Sequence, residues 1–478
     1  MIPPLVPLPA RVTPAGEGPR LADGLTVTGA GPEVVAVVED RLRRAGAPVG
    51  PVPVHLVLEG PTPPALATDP GATAGSAYRL VVGREGVRLT AATTGGLLAG
   101  STTLAQLVAG VGADGRLAGV EIEDEPRFAW RGLCLDVARR FLPVEDVQAV
   151  VEVMADLRLN VLHLHLTDDQ GWRVDLPSRP ELVERSSATG CGGGPGGFYR
   201  ATDLAAITAH AARLGVTVVP EIDVPGHTNA ALHALGELNP DGRPVPAYTG
   251  MEVGFSGLHE DLPATEPFLR DVFTDLAALT PGPWLHVGGD EPLAMDPGEY
   301  ARLVAVAAGH VTAAGKRVVT WQEGAVADLP PGAVVQYWDD RVAPVEATEA
   351  VRRGAHLLLS PATRVYLDIM PEAGWEIGQD WAGHVSLRDS YEWEPLAVAP
   401  DVPAERVVGI EAAVFTETLR TRDDVLLMLL PRLAAVAEVA WTPGPARDWD
   451  DFARRVPALA RGWEAAGHPW HRSAQVTW

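Results

Sequence analysis

Eight short apolar runs, rich in β-branched residues, recur between residues 131 and 415 with helix-like segments between them. They are RGLCLDV (131–137), NVLHLHL (160–166), VTVVPEID (216–223), WLHVGG (284–289), RVVTWQ (317–322), AVVQYW (333–338), HLLLS (356–360) and VVGIEAAVF (407–415). Strands apolar on both faces need cover on both sides, which parallel sheets obtain from crossover helices. Between the first two runs, LPVEDVQAVVEVMADLRL places Val147, Val150, Val151, Met154 and Leu157 on one helical face, with Pro143 in its first turn. Before the third, TDLAAITAHAARLG offers Thr202 as a cap and Gly215 as a terminator. Eight such units predict an α/β chain built on a (β/α)8 TIM barrel with enlarged loops. An open doubly wound sheet is the runner-up, but the Gly-rich turn expected after its first strand is missing.

The chain ahead of the barrel reads differently. VVAVVEDRLRRAG (34–46) and LLAGSTTLAQLV (97–108) have helical spacing, whereas PVHLVLEG (53–60) and YRLVVGREGVRLTA (78–91) read as strands. Residues 1–125 are therefore expected to form a small α+β domain, closed by the acidic EIEDEP (121–126). Residues 126–478 are expected to form the barrel, with a C-terminal helix. A formal charge of −24 argues against a nucleic-acid or anionic-membrane surface, and no apolar run reaches membrane-spanning length. The opening MIPPLVPLPARVTP lacks the basic n-region of a secretory signal, so a cytoplasmic enzyme is expected, or a secreted one whose signal peptide has been removed. Cys134 and Cys191 are expected to be two free thiols.

Active sites of such barrels lie at the carboxyl ends of the strands. Reading just past each run in turn gives Asp136 and Arg139; Asp168, Asp169 and Trp172; Glu221, Asp223 and His227; Asp290 and Glu291. The remaining runs give Trp321 and Glu323; Trp338 and Asp339; Tyr366 and Asp368; Phe415 and Glu417. Carboxylates and aromatics with one Arg and one His suit a polyhydroxylated ring, because hydroxyls want fixed donors and acceptors while the sugar's apolar face wants an aromatic platform. The adjacent carboxylates of Asp290 and Glu291 follow Gly288 and Gly289, which let the backbone approach a reacting centre closely.

HLHLTDDQGWR (163–173), VVPEIDVPGHTNAAL (218–232), LHVGGDE (285–291), VVQYW (334–338) and SPATRVYLD (360–368) resemble the family 20 glycoside hydrolases, the β-N-acetylhexosaminidases, most closely bacterial exo-acting members. The likeness runs in order from about Pro3 to Trp478 and includes the small domain before the barrel. It implies exo-hydrolysis of terminal β-linked GlcNAc or GalNAc with retention, in which the substrate's 2-acetamido group replaces an enzyme nucleophile and forms an oxazolinium intermediate. By that resemblance Glu291 is the general acid and base, Asp290 orients the acetamide nitrogen, and Tyr366 hydrogen-bonds the acetamide carbonyl. Trp321 and Trp338 enclose the acetamide methyl, with Trp381 a further tryptophan near the sugar. Arg139 grips the 3- and 4-hydroxyls, Asp368 and Glu417 hold the 4- and 6-hydroxyl side, and Asp168 with His227 forms a buried pair directed at the catalytic glutamate. Phe415 departs from the pattern, standing where close relatives carry tryptophan. No cofactor and no metal are implied; the partner is an oligosaccharide or glycoconjugate substrate, and the assembly a monomer or homodimer.

Release of a disaccharide rather than a monosaccharide is the alternative within the same family. A metal-dependent amidohydrolase is the alternative outside it, suggested by His163-Leu-His165, although that class wants its HxH on the first barrel strand. A catalytically dead sugar-binding module would have lost Asp290, Glu291 or Tyr366. GCGGGPGGFY (190–199) lacks the Lys-Ser/Thr ending of a phosphate loop and is expected to be a mobile loop over the sugar.

Overall fold

The computed structural model describes residues 3–60 and 73–478. Its N-terminal part is a six-stranded sheet in the order β1-β6-β4-β5-β3-β2. The strands are β1 (Arg11–Arg20), β2 (Leu25–Gly29), β3 (Val52–Leu58), β4 (Tyr78–Gly83), β5 (Gly86–Ala91) and β6 (Arg116–Asp124), and helices α1 (Pro32–Arg44) and α2 (Thr94–Ala109) pack with them. The acidic stretch expected to mark a boundary is largely strand. Along β6 Val120, Ile122 and Asp124 are buried while Glu123 is exposed, the period-two pattern of a half-covered strand. Asp124 then anchors this sheet to the rest of the chain: it accepts from the Tyr78 hydroxyl (2.6 Å) and the Trp441 indole (3.0 Å) and pairs with Arg158 (3.3 Å).

The eight apolar runs form the closed parallel barrel that their patterning predicts. In chain order they are β7 (Trp130–Asp136), β8 (Val161–His165), β11 (Thr217–Glu221), β12 (Trp284–His286), β13 (Arg317–Trp321), β14 (Val334–Tyr337), β15 (His356–Leu359) and β16 (Val407–Val414). The two-residue strands β9 (Thr167–Asp168) and β10 (Gly171–Trp172) form a small hairpin above β8. Helix α3 (Val144–Asp156) follows β7, and the five apolar positions read on its face and just past its end are all buried. Pro143 caps α3 from outside its first turn. Helix α4 (Ala201–Arg213) begins earlier than Thr202 suggested. Its cap is Arg200, whose backbone N–H donates to Asp203 (2.9 Å), so the first turn is closed by a carboxylate reaching back from its third position and Thr202 already lies inside the helix. Helices α5 (Thr265–Leu279), α6 (Pro297–Ala313), α7 (Val345–Arg352) and α8 (Arg432–Trp441) continue the outer ring.

The barrel interior is stratified. At its lower end Trp130, Val161, Val219, Trp284, Val319, Val334, Leu358 and Val408 make an apolar plug, with the Trp130 and Trp284 rings edge-on at 5.6 Å. Above it the parallel register sets Asp136 beside His165, His165 beside Glu221, and Glu221 beside His286. Parallel partners point to the same side, so polar groups from four adjacent strands meet at one level. Glu221 there accepts from His163 (2.9 Å) and the Trp321 indole (2.8 Å), lies 3.1 Å from His286 Nδ1, which takes the Gly288 N–H (2.9 Å), and also meets His165. Glu411 meets His163 (2.9 Å), the Trp130 indole (2.7 Å) and Gln336 (2.9 Å). This buried polar layer is the floor of the functional site.

Candidate active site

The first strand end prepares an arginine. Asp136 accepts from the backbone N–H groups of Ala138 (2.8 Å) and Arg139 (3.0 Å) with one oxygen and from Thr416 (2.9 Å) with the other, tying β7 to the chain after β16. Arg139 lies over the Phe415 ring at 5.1 Å, pairs with Asp168 at 2.8 Å and approaches Glu417 at 3.9 Å. Burial opposes the charge on Asp168, but Arg139 and then His227 outweigh it and hold its carboxyl below the usual carboxylate range. Asp168 also meets His227 Nδ1 at 3.3 Å.

His227 joins the buried charges to the sharpest sequence motif. Its Nε2 is 3.6 Å from Asp290 Oδ2 and 3.4 Å from Glu291 Oε2, so both carboxylates of the adjacent pair converge on one imidazole. Burial works against the imidazolium, yet Asp168 and Asp290 hold its proton well above the usual histidine range. The backbone that presents the pair is unusual. Gly288 and Gly289 have φ of 71° and 103°, and Glu291, with φ of 47°, sits in the left-handed region that side chains rarely adopt. A Cβ on Gly288 would lie 1.8 Å from Asp223 Oδ1, the oxygen that accepts from Gly289 N–H. Asp223 is itself pushed well above the carboxylate range by burial and by Asp290.

An aromatic box faces the pair. Buried Tyr366 stacks with Trp338 at 6.1 Å, meets Trp381 edge-on at 5.8 Å and lies 5.6 Å from Phe415. Trp321 is fully buried at the base, whereas Trp381 is 39% exposed at the rim beneath the Arg341 guanidinium. Asp368 is buried nearby, and burial followed by the charge of Glu417 pushes it up to about 8. Every residue expected at the site from the sequence (Arg139, Asp168, His227, Asp290, Glu291, Trp321, Trp338, Tyr366, Asp368, Trp381, Phe415 and Glu417) thus lies at or above the same end of the barrel, linked by the contacts just described. Asp290 Oδ1, Asp368 Oδ1, Glu417 Oε2 and Arg139 Nε make no hydrogen bond with the described residues. They are the acceptors and donor that sugar hydroxyls or an amide would satisfy.

Three features differ from expectation or escaped it. The Gly-rich loop is pinned rather than mobile: Cys191 N–H donates to Arg139 O (2.8 Å), Gly192 N–H to Thr249 O (2.6 Å), and Arg173 to Thr189 O (2.7 Å). It props the main chain that carries Arg139. Arg432, inside α8, donates to the carbonyls of Leu367 (2.5 Å), Ile369 (2.7 Å) and Val385 (2.8 Å), and so shapes the loop bearing Tyr366 and Asp368. Nothing in a helical stretch advertises that role. Tyr300, on α6, donates to Gly289 O at 2.5 Å and fixes the turn from behind. Cys134 and Cys191 are both buried free thiols. Ligand atoms of Cys134, His163 and Glu221, of His165, Glu221 and Asp223, of Asp168, Asp223 and His227, and of His227, Asp290 and Glu291 lie close enough to hold an ion. Both ring nitrogens of His163 and of His165, however, are already committed to carboxylates, which removes the lone pairs an HxH metal site would use.

The sequence matches the catalytic domain of glycosyl hydrolase family 20 over residues 128–444 and domain 2 of that family over residues 2–125. The chain belongs to glycosyl hydrolase family 20. Within that family it is 56% identical over 404 residues to a beta-N-acetylhexosaminidase of Cellulomonas fimi, an alignment covering 84% of this chain and 81% of the relative. The fold superposes on a Streptomyces plicatus N-acetyl-beta-hexosaminidase in complex with Thio-NAglucal with a TM-score of 0.92 at 40% identity, covering 99% of this chain and 97% of the other. A mutant of the Streptomyces plicatus beta-hexosaminidase in complex with product (GlcNAc) superposes with a TM-score of 0.91 at 40% identity, with the same coverage.

Proposed function

We propose that this site removes terminal non-reducing β-linked N-acetylhexosamines by letting the substrate's acetamide attack its own anomeric carbon. The chain is a glycoside hydrolase, an exo-acting β-N-acetylhexosaminidase of family 20. The observation that carries the assignment of roles is the convergence of Asp290 and Glu291 on His227, which puts two carboxylates on one pocket beside an aromatic box.

In the first step Glu291 gives its proton to the glycosidic oxygen. The acetamide carbonyl oxygen bonds to C1 as the C1–O bond breaks, leaving an oxazolinium ring and a free alcohol. Asp290 accepts from the acetamide N–H and balances the positive charge, while Tyr366 donates to the carbonyl oxygen from the opposite side. In the second step Glu291, now a carboxylate, takes a proton from water. The water oxygen bonds to C1, the oxazolinium opens, and the acetamide is restored with the β configuration retained. The nucleophile is intramolecular, so the chain's contribution is orientation and charge stabilisation in a site closed below by the buried histidine layer. Trp321 and Trp338 pack on the acetamide methyl. Arg139, Asp368 and Glu417 hold the ring hydroxyls.

Glu291→Gln keeps the side chain's shape but cannot donate to the leaving oxygen. Hydrolysis of an alkyl β-GlcNAc glycoside should fall by at least about 1000-fold, with GlcNAc affinity within a few-fold of the parent. Wild-type turnover in that variant would overturn the assignment. Parallel assays on p-nitrophenyl β-GlcNAc, β-GalNAc and β-lacto-N-bioside read out the ring and chain-length preference.

A further inference from the structure

Three consecutive residues leave β13 and each grips the aromatic box at a different point. Trp321 is its base. Gln322 Oε1 accepts from the backbone N–H groups of Trp338 and Asp339, both at 2.9 Å. Glu323 then takes the Trp338 indole N–H on Oε2 at 3.1 Å, while its Oε1 faces the backbone N–H of Glu291 at 3.4 Å. Glu323 also borders a 270 Å³ cavity lined by Pro292, Met295, Val326 and Val342.

We propose that Glu323 is a positioning residue, which locks the Trp338 wall to the main chain of the Asp290–Glu291 pair so that the acetamide is held against both at once. The inference rests on the reaction given above and adds a member to its machinery. A carboxyl suits the task because it presents an acceptor oxygen to each of two N–H donors in different loops; in an amide the atom facing one of those donors would be an NH2 group, which cannot accept. Burial and the neighbouring Asp290 push Glu323 up to about 8, while the Trp338 indole and the Glu291 N–H, as donors, favour its carboxylate. The Glu291 N–H needs that anchor more than most, since its residue is held in the left-handed region.

The test compares Glu323→Gln and Glu323→Ala with the parent on N-acetyl and N-propionyl p-nitrophenyl β-glucosaminides, with thiazoline affinity measured by calorimetry. Glu323→Ala should lose about 100-fold in kcat with KM within about threefold, because the acetamide is misplaced rather than unbound. Its affinity for the thiazoline should fall in proportion, and its preference for N-acetyl over N-propionyl should shrink by at least about fivefold as Trp338 gives way. Glu323→Gln should recover about tenfold of the lost rate through the bond to Trp338. If Glu323→Ala does not fold, a roughly tenfold loss of kcat in Glu323→Gln with a matching loss of thiazoline affinity supports the proposal, and parental values of both overturn it. Unchanged kcat in both variants, or lost kcat with the acyl preference intact, also overturns it. A parent enzyme that cleaves glucosides lacking the N-acyl arm equally well would instead refute the acetamide mechanism itself.

Discussion

At the scale of single residues, the pocket depends on backbone shapes that ordinary side chains resist. Gly288 is required twice over, by its φ of 71° and by Asp223 Oδ1 standing 1.8 Å from where a Cβ would be. Gly374 has a similar φ of 82° but nothing within 4 Å, so it isolates the conformational strain from the clash. Gly374→Ala should therefore cost about 1 kcal/mol and leave turnover unchanged. Gly288→Ala must also displace Asp223, which holds Gly289 N–H, and should cost about 3 kcal/mol and reduce kcat/KM by at least about 100-fold. Thermal melts with steady-state assays on the two variants decide the matter. Equal effects would mean that the Asp223 contact does not set the position of the catalytic pair.

Elements place what single residues cannot. The loop that carries Tyr366 and Asp368 has little regular structure of its own; three of its carbonyls are gathered by Arg432 from α8. Replacing that side chain with methionine keeps the bulk but orphans those buried acceptors, so Arg432→Met should cost on the order of 3 kcal/mol and lower kcat by misplacing Tyr366. Activity at the parental level in a folded Arg432→Met protein would show that the loop holds itself. The contrast also explains what could be read in advance. The eight barrel strands were legible because strands buried on both faces must be apolar, and the polar residue just past each one marks the functional end. Asp290, Glu291, Trp321 and Trp338 were legible because they sit on or directly after those ends, and Tyr366 because it follows closely after β15, whereas Trp381, far out on the same segment, was read from the family resemblance alone. The Thr202 cap failed because the helix already begins at Ala201, with Arg200 as its cap and Asp203 taking the Arg200 N–H. Arg432, Tyr300 and the pinning of the Gly-rich loop were not legible at all. Their partners are main-chain atoms far along the chain, and main-chain atoms leave no signature in side-chain chemistry.

For the whole molecule, concentrating so many ionisable groups at one barrel mouth makes stability depend on pH in a definite direction. In the fold Asp368 keeps its proton up to about 8, through burial and then Glu417, and Glu323 does the same through burial and then Asp290. In the unfolded chain both would release it near pH ~4. His165 is raised to about 9, because Glu221 and Asp168 outweigh its burial, against roughly 6.5 when unfolded. In each case the fold binds the proton more tightly. The contribution is complete below the unfolded value and is lost as pH climbs through the folded one, at up to about 1.4 kcal/mol per pH unit for each group. Asp168 has the opposite sign: Arg139 and His227 hold it low, so its contribution fails only as pH drops through that depressed value. The two edges leave maximum stability on the acid side of neutrality. The melting temperature at constant ionic strength should therefore fall steadily from pH 6 to pH 9, and Asp368→Asn, which has no proton to lose, should fall less steeply. A parental melting temperature that is flat or rising across that range, or a variant whose slope matches the parent, would mean that these buried acids are already ionised at pH 6 and that charge at the barrel mouth is balanced in some other way.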